Sequence, residues 1–230
     1  MPEIHFDDVA LAYDERIVLQ PFSLTLTEQR IGIIGANGNG KSSLVRLING
    51  LHDPTRGTVM YNGLDVSKEG KQVRKQVGFV FSDADNQIVM PTVAEDLAFS
   101  LRRSKLSKQE RKERVDAMLT RFGLIDHAHQ SPHLLSGGQK QLLALSSVLI
   151  IEPETIIADE PTTLLDVRNR MKLKKVFSSL EQQLIVVSHD LDFLSDFERV
   201  LCIHDGGIYA DGPATSVIPA YLELMESEAL

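Results

Sequence analysis

A glycine-rich segment with one lysine and one serine carries the clearest chemistry in this chain. Residues 35–42 read Gly-Ala-Asn-Gly-Asn-Gly-Lys-Ser and fit the pattern G-x-x-x-x-G-K-[ST] without a gap. Glycines let successive backbone N–H groups point at phosphate oxygens. We expect Lys41 to reach the β- and γ-phosphates of a nucleotide and the Ser42 hydroxyl to be a magnesium ligand. The segment therefore predicts a nucleotide-binding loop, with a plain glycine-rich turn as the alternative.

Polar side chains also follow two further apolar segments. Asp159 and Glu160 follow residues 155–158, Thr-Ile-Ile-Ala, and His189 follows residues 184–188, Leu-Ile-Val-Val-Ser. Such runs are typical of strands buried in a parallel sheet, and ligands gather at the carboxyl ends of those strands. We expect Asp159 to hold magnesium through water, Glu160 to orient or deprotonate an attacking water, and His189 to contact the γ-phosphate. In isolation these groups are more simply a helix cap, a solvated acid and a satisfied strand-end histidine.

A second glycine-containing segment opens another predicted helix. Residues 135–139 read Leu-Ser-Gly-Gly-Gln, and helically spaced apolar residues follow over 141–150. Ser136 would stand at the start of this helix, where backbone N–H groups are free. The bare backbone at Gly137 and Gly138 would let a phosphate held by a second molecule approach closely. A simple Ser-Gly-Gly helix cap is the alternative.

The chain around these motifs predicts an α/β core interrupted by helices. Apolar residues at 31–34 and helical spacing from 44 onward put the first loop between a strand and a helix. Asn62-Gly63 predicts a hairpin, and the Ser107-to-Glu110 capping box opens a helix that closes at Gly123. We expect one domain over 1–230, with the α/β core and its β subdomain at 1–88 and 151–215, the helical subdomain at 89–150, and a loosely held acidic tail at 216–230.

Length, composition and charge exclude several other classes. A chain of 230 residues can bury roughly 70% of its unfolded surface, so it needs no disulfide or metal to hold its core. Its single cysteine, Cys202, lies in an apolar run, which favours a buried thiol in a reducing compartment. We find no apolar run near the roughly 20 residues that span a bilayer and no export signal. With 24 basic and 32 acidic residues, the formal net charge of −8 argues against a broad nucleic-acid surface.

Together, these motifs resemble the nucleotide-binding subunit of an ATP-binding-cassette (ABC) transporter over almost the whole chain. The motifs follow the family's order: the P-loop at 35–42, the signature at 135–139, the acids at 159 and 160, and the switch histidine at 189. The resemblance adds a D-loop at Leu164-Leu165-Asp166 and an adenine-stacking ring at Tyr13. It implies the ABC ATPase fold, an α/β P-loop NTPase (RecA-like) core with an antiparallel β subdomain and an inserted α-helical subdomain.

The resemblance also implies which residues meet the cofactors ATP and Mg²⁺. The nucleotide would contact Tyr13, Gly35, Ala36, Asn37, Gly38, Asn39, Gly40, Lys41, Ser42, Ser43, Leu135, Ser136, Gly137, Gly138, Gln139 and Asp166. Glu160 and His189 would be catalytic, and Ser42 and Asp159 would bind the magnesium ion. Because a whole helical subdomain separates signature from P-loop, we expect Ser136 of one copy to meet the γ-phosphate held by Lys41 of another. ATP would then join a head-to-tail pair.

Within the family, residues 30–37, 77–81, 85–87 and 91–99 resemble energy-coupling-factor (ECF) importers of vitamins and metals, above all the biotin and cobalt branch. This implies an ATPase that powers import of a micronutrient, with biotin favoured and cobalt or another vitamin or metal next. Its partners would be a second ATPase subunit, identical or different, and integral membrane subunits on the cytoplasmic side of the cell membrane. No nucleic-acid partner is expected. The alternative is a soluble ABC ATPase acting on nucleic acid or ribosomes, which generally carries a coiled-coil insertion or a second cassette.

One position departs from the family pattern. After Phe81 the family usually has a glutamine that touches magnesium and water and couples them to the membrane partner, whereas this chain has Ser82. The shorter hydroxyl cannot reach as far. Either Gln87 takes its place, or a water fills the gap, or hydrolysis is slowed.

Overall fold

The chain forms two β-sheets with helices packed against them, and the computed structural model describes residues 1–163 and 165–228. The strands are β1 (Ile4–Tyr13), β2 (Arg16–Leu26), β3 (Arg30–Ile34), β4 (Arg56–Tyr61), β5 (Leu64–Asp65), β6 (Val77–Val80), β7 (Thr155–Asp159), β8 (Gln183–Val187), β9 (Arg199–His204) and β10 (Gly207–Gly212). The α-helices are α1 (Lys41–Ile48), α2 (Val66–Gln76), α3 (Val93–Ser100), α4 (Lys108–Phe122), α5 (Gly137–Leu149), α6 (Val167–Ser178), α7 (Leu191–Leu194) and α8 (Ala214–Glu228).

The first sheet is antiparallel, with strand order β2-β1-β4-β5. Between β4 and β5, Asn62 and Gly63 have φ angles of 48° and 78°. Two successive residues with positive φ are the mark of the tight hairpin turn that suits twisted antiparallel strands. The hairpin predicted from Asn62-Gly63 is therefore confirmed.

The second sheet has the order β10-β9-β3-β8-β7-β6, and all its strands except β10 run parallel. Strands β7 and β8 are buried along their whole length, as their continuous apolar sequences predict. In the register Val187 lies opposite both Asp159 and Ile33. The carboxyl ends of β3, β7 and β8 therefore meet at one edge, which brings the three sequence motifs together. At β9, Cys202 is fully buried, and burial raises the pKa of its thiol to about 11.

Helices α3, α4 and α5 lie between β6 and β7 in the chain. Helix α4 begins with the predicted capping box of Ser107 and Glu110 and ends at Gly123, which has a φ of 68°. Leu119 and Leu143 of these helices are fully buried in the same apolar cluster as Ile156 of β7. The inserted helices thus share a core with the parallel sheet. None of the helices in the described ranges has the length and apolarity needed to cross a membrane.

The expectation of a loosely held tail from residue 216 is wrong. Helix α8 packs against β9 and β10, with Ala214 and Val217 buried and Ile218 and Tyr221 packed on the core. These positions recur at helical spacing, a signal hidden by the acidic residues near the end. Residues 229 and 230 lie outside the described part of the chain. Helix α2 is also absent from the sequence-based expectation, because its composition is mostly polar.

Candidate nucleotide-binding site

The glycine-rich loop closes around its own lysine. Lys41 is only 6% exposed, and its Nζ donates hydrogen bonds to the carbonyl oxygens of Gly35 (2.8 Å) and Ala36 (2.9 Å). Burial lowers the pKa of Lys41, and the negative charges of Glu160 and Asp159 oppose that shift. The ammonium group stands at the N-terminus of α1, where free N–H groups already favour an anion. Phosphate oxygens would be stronger partners for it than these two carbonyls.

Two glycines of the loop have different physical reasons to be glycine. Gly35 has a φ of 144°, and a Cβ there would lie 2.1 Å from the carbonyl oxygen of Ile203, so the loop can approach β9 only without a side chain. Gly38 has a φ of 83°, but a Cβ there would meet no atom within 4 Å. Gly35 therefore packs the loop onto the sheet, while Gly38 leaves open space beside the backbone, as a ligand would require.

A hydroxyl and a carboxylate lie in contact at the carboxyl end of β7. The Ser42 Oγ donates to Asp159 Oδ1 at 2.8 Å, and Arg46 Nη2 lies 3.4 Å from Asp159 Oδ2. Asp159 is 2% exposed. Serine and carboxylate oxygens are hard donors of the kind that Mg²⁺ prefers. This donor set fits the magnesium ion that the sequence predicts.

Glu160 and His189 form the neighbouring part of the site. Glu160 Oε2 accepts hydrogen bonds from the His189 backbone N–H and from Thr163 Oγ1, both at 3.3 Å. Its Oε1 is buried without a hydrogen-bond partner among the described residues, although it lies 3.2 Å from His189 Nε2 in poor alignment. His189 Nε2 is also 2.8 Å from Asn37 Oδ1 and 3.4 Å from Lys41 Nζ. The structure thus brings together side chains from three separate motifs around one unsatisfied carboxylate oxygen.

Tyr13 lies at the end of β1 and is half exposed. Its hydroxyl is 3.2 Å from His52 Nδ1, and the two rings meet edge to face with centroids 5.9 Å apart. Burial, followed by the positive charge of Arg46, lowers the pKa of His52. A neutral imidazole can accept a hydrogen bond from the tyrosine hydroxyl and so hold the ring. Tyr13 keeps an exposed surface on which a base could stack.

The segment at 135–139 caps α5 as predicted. Ser136 Oγ accepts from the Gln139 backbone N–H at 3.3 Å, and Gln139 Oε1 accepts from the Ser136 N–H at 2.9 Å. Ser136 and Gly137 are exposed, while a Cβ at Gly138 would lie 2.4 Å from Asn169 Cγ of α6. Within the described residues, no hydrogen bond links this segment to the loop at 35–42. Its exposed end is therefore accessible to a second molecule.

His127 supports this segment, and the sequence motifs do not reveal it. Its Nε2 lies 2.9 Å from Gln139 Nε2, and its Nδ1 lies 3.0 Å from Gln130 Oε1. Because an amide nitrogen only donates, the contact with Gln139 fits a His127 ring that accepts at Nε2 and donates from Nδ1. The imidazole therefore fixes the Gln139 amide that in turn caps Ser136. No local pattern links position 127 to 139, so only the folded chain exposes the contact.

Two other predicted positions have their own local roles. Asp166 Oδ1 accepts from the Asn169 N–H at 2.8 Å and caps α6, and Leu164 lies outside the described residues. Gln87 Oε1 accepts from the Phe81 N–H at 3.2 Å, while Gln87 Nε2 donates to Ala144 O at 3.0 Å. Both polar ends of the Gln87 amide are thus committed to backbone partners, which argues against its replacing a glutamine at position 82.

A family model described as ABC transporter matches residues 19–163, the stretch that holds the loop, the signature and both acids. The chain belongs to the ABC transporter family. It is an ATP-binding ATPase of a transporter, and the resemblance drawn from its motifs is confirmed.

This ABC ATPase has relatives of nearly its own length. It is 50% identical over 222 residues to a Deinococcus radiodurans protein named as an ABC transporter ATP-binding protein, covering 96% of this chain and 98% of that one. It is 44% identical over 221 residues to the biotin transport ATP-binding protein BioM of Rhizobium etli, with coverage of 96% and 98%. It is 36% identical over 233 residues to the energy-coupling factor transporter ATP-binding protein EcfA1 of Leuconostoc mesenteroides, with coverage of 97% and 85%.

The fold agrees with these relatives. The structure of CbiO1 from Clostridium perfringens, part of the ABC transporter complex cbiONQ, superposes with a TM-score of 0.84 at 28% identity, covering 97% of this chain and 93% of that one. The ABC ATPase fold predicted from the sequence is therefore confirmed. The chain is an ATP-binding subunit of an ABC transporter, and its relatives include ATP-binding proteins named for biotin transport and for energy-coupling factor transporters.

Proposed function

We propose that this ABC ATPase hydrolyses ATP between two head-to-tail subunits and thereby powers the import of a micronutrient, biotin before cobalt or another vitamin or metal. One observation supports the pairing of two subunits. The signature residues Ser136 and Gly137 are exposed and have no hydrogen bond to the loop around Lys41 among the described residues. A second subunit can therefore bring its own Ser136 to the triphosphate that Lys41 holds.

The chemistry of this proposal follows from the side chains at the edge of the parallel sheet. Lys41 and the loop N–H groups would bind the phosphates, and Ser42 and Asp159 would hold Mg²⁺, which when bound would neutralise charge on the phosphates. Glu160 orients the attacking water and accepts its proton at Oε1, the buried oxygen that has no hydrogen-bond partner among the described residues. His189, within reach of Asn37 and Lys41, donates to the γ-phosphate from Nε2. Cleavage removes the group that joins the two subunits, and the pair reopens.

The energies of such a pair are consistent with reversible closure. Charge-assisted hydrogen bonds contribute about 1.5–3 kcal/mol each, and several form at each of two sites. Association costs roughly 4–15 kcal/mol. The gain and the cost are of similar size, so losing the γ-phosphate is enough to reverse the balance.

A groove beside the core is the proposed contact for the membrane subunits. Its volume is about 380 Å³, and it is lined by residues of β6, α3 and the segment at 87–89. The apolar residues Leu51, Val89, Phe99 and Ile151 are exposed there. Exposed apolar side chains grouped in a groove are typical of a surface that binds an amphipathic helix. A helix of the membrane subunit would bind here and hold this chain to the cytoplasmic face of the membrane.

The transport function is tested with the intact complex. Co-expressed membrane subunits should carry the wild-type chain into the membrane pellet, whereas Val89→Arg combined with Phe99→Arg should leave it in the supernatant. Ile17→Arg, which alters an exposed apolar residue outside the groove, is the matched control and should still pellet. Reconstituted vesicles should take up labelled biotin when ATP is supplied. Uptake of labelled cobalt in place of biotin would show that cobalt is the transported substrate. Pelleting of the double variant would show that the groove is not part of the interface with the membrane subunits.

Substitution of Ser82 tests directly whether the missing glutamine slows ATP hydrolysis. Replacing Ser82 by glutamine should raise steady-state ATP hydrolysis by about three- to tenfold, because a longer amide can reach the metal and the water. The rate is measured by phosphate release at saturating ATP. Ser67→Gln, which alters another exposed serine, on α2, should leave the rate unchanged. An unaltered rate in Ser82→Gln would mean that another group already fills this position.

Substitution of His127 tests whether the signature must be held rigidly for ATP-dependent pairing. His127→Ala should weaken ATP-dependent pairing by about two- to tenfold, the effect of losing one neutral hydrogen bond, because the Gln139 amide loses its partner. ATP binding to the isolated subunit should not change, since the loop at 35–42 is untouched. His133→Ala, an exposed histidine in the turn before the signature, serves as the control. Equal pairing in His127→Ala and wild type, measured by sedimentation with ATP, would assign His127 no part in the signature.

A further inference from the structure

Asp159 has a partner on each of its two oxygens in this structure. Ser42 Oγ donates to Oδ1 at 2.8 Å, and the Arg46 guanidinium lies 3.4 Å from Oδ2. Ser42 and Arg46 are four residues apart on α1, so both side chains project from one face of the helix. Helix α1 therefore presents a hydroxyl and a positive charge to the same buried carboxylate. The hydroxyl belongs to the proposed magnesium site, but the guanidinium has no part in the chemistry derived above.

Contacts other than this ion pair hold the Arg46 side chain only weakly. Its Nε is buried and has no hydrogen-bond partner among the described residues, and its side chain is 35% exposed. Its charge also acts on His52, whose pKa is lowered first by burial and then by Arg46. A guanidinium with an unsatisfied buried N–H and a single long contact is held mainly by the negative charge of Asp159. It can leave that carboxylate with little loss of hydrogen bonding.

We propose that Arg46 is a positioning residue that neutralises Asp159 while the metal site is empty and competes with the divalent cation for that carboxylate. The proposal rests on the magnesium site assigned to Ser42 and Asp159 under the proposed function. An unpaired carboxylate that is almost fully buried is costly, so the guanidinium stabilises the empty site. The same positive charge repels an arriving cation and makes cation binding weaker. Arg46 thus favours release of the metal together with the spent nucleotide.

Metal affinity measured directly, without turnover, tests this role. Mn²⁺ is titrated into the protein saturated with a non-hydrolysable ATP analogue, and free Mn²⁺ is read by electron paramagnetic resonance. Arg46→Gln and Arg46→Met should each bind Mn²⁺ about three- to tenfold more tightly than wild type. Both should also melt at a lower temperature in EDTA, and Mn²⁺ with the analogue should raise that temperature by more than it does in wild type. Arg46→Lys keeps a positive charge and should restore most of the wild-type behaviour.

The controls separate failure of this role from failure of the proposed function. Arg121→Gln removes an exposed arginine of α4 and should match wild type in both measurements. If wild type binds Mn²⁺ and the two neutral variants bind it equally or more weakly, competition by Arg46 is excluded while the metal site stands. If wild type binds the analogue but no Mn²⁺, the metal site itself is wrong, and the role of Arg46 falls with it.

Discussion

Lys41→Ala is expected to weaken ATP binding by about a hundredfold or more. The ammonium is buried at the start of α1, and its hydrogen-bond partners among the described residues are the carbonyls of Gly35 and Ala36 and, at 3.4 Å, His189 Nε2. With ATP, two charge-assisted hydrogen bonds to phosphate would contribute about 1.5–3 kcal/mol each, and each 1.4 kcal/mol is a tenfold change in affinity. Calorimetry of the purified chain with ATP measures the change.

The matched control is Lys71→Ala, which removes an exposed lysine of α2 and should bind ATP as the wild type does. Loss of the buried Lys41 ammonium also removes two hydrogen bonds within the loop, so the melting temperature without nucleotide is measured in parallel. Retained ATP affinity in a folded Lys41→Ala variant would contradict the assignment of this loop to the phosphates.

Glu160→Gln is expected to slow ATP hydrolysis by about 10²- to 10⁴-fold, the usual contribution of a general base. Glutamine keeps the size of the side chain and one acceptor oxygen, so the hydrogen bonds from His189 and Thr163 can persist. It cannot take a proton from water. Phosphate release under saturating ATP measures the rate, and bound ATP should accumulate in the variant.

Glutamine is the appropriate substitution because Glu160 has a φ of 52°, a left-handed conformation that a residue branched at Cβ would strain further, whereas glutamine has the same unbranched Cβ as glutamate. Glu181→Gln alters an exposed carboxylate away from the site and should keep the wild-type rate. A Glu160→Gln variant with unchanged turnover would remove Glu160 from the base role and leave His189 as the remaining candidate.

The local features of the fold could be predicted from the sequence because they depend on neighbours in the chain. The Asn62-Gly63 turn and the Ser107 capping box involve residues within a few positions of each other, and both are present. The buried strands β7 and β8 were likewise predictable, since burial on both faces requires continuous apolar sequence. The parallel pairing of β8 with β3 and β7 brings the P-loop, the acids and His189 to one edge, as their positions at strand ends predict.

Other features depend on contacts that no local pattern encodes. Helix α2 is polar and kinked at Glu69, where φ is −114°, and it is anchored mainly by its Asp65 cap and the burial of Val66 and Val73. The acidic residues of α8 obscured the apolar face that packs on β9 and β10.

The residues of the candidate site fall into the same two groups, those that a local sequence pattern predicts and those that it does not. Lys41, Asp159 and Glu160 are recognisable because each follows a strand in a known motif. Arg46 and His127 are not, since Arg46 matters only through Asp159 and His127 only through Gln139, each a contact between separate segments. Side chains that support a motif are therefore harder to predict than the motif itself, because the fold alone selects their partners.

Sedimentation equilibrium of the Glu160→Gln variant tests most directly whether ATP joins two subunits. With Mg²⁺ and ATP the variant should sediment as a dimer, and with ADP or no nucleotide as a monomer. Adding Ser136→Arg, which blocks the exposed cap of α5 while leaving the loop at 35–42 intact, should abolish the dimer without abolishing ATP binding. A monomer at high concentration with ATP bound, or a dimer that tolerates Ser136→Arg, would contradict the shared site.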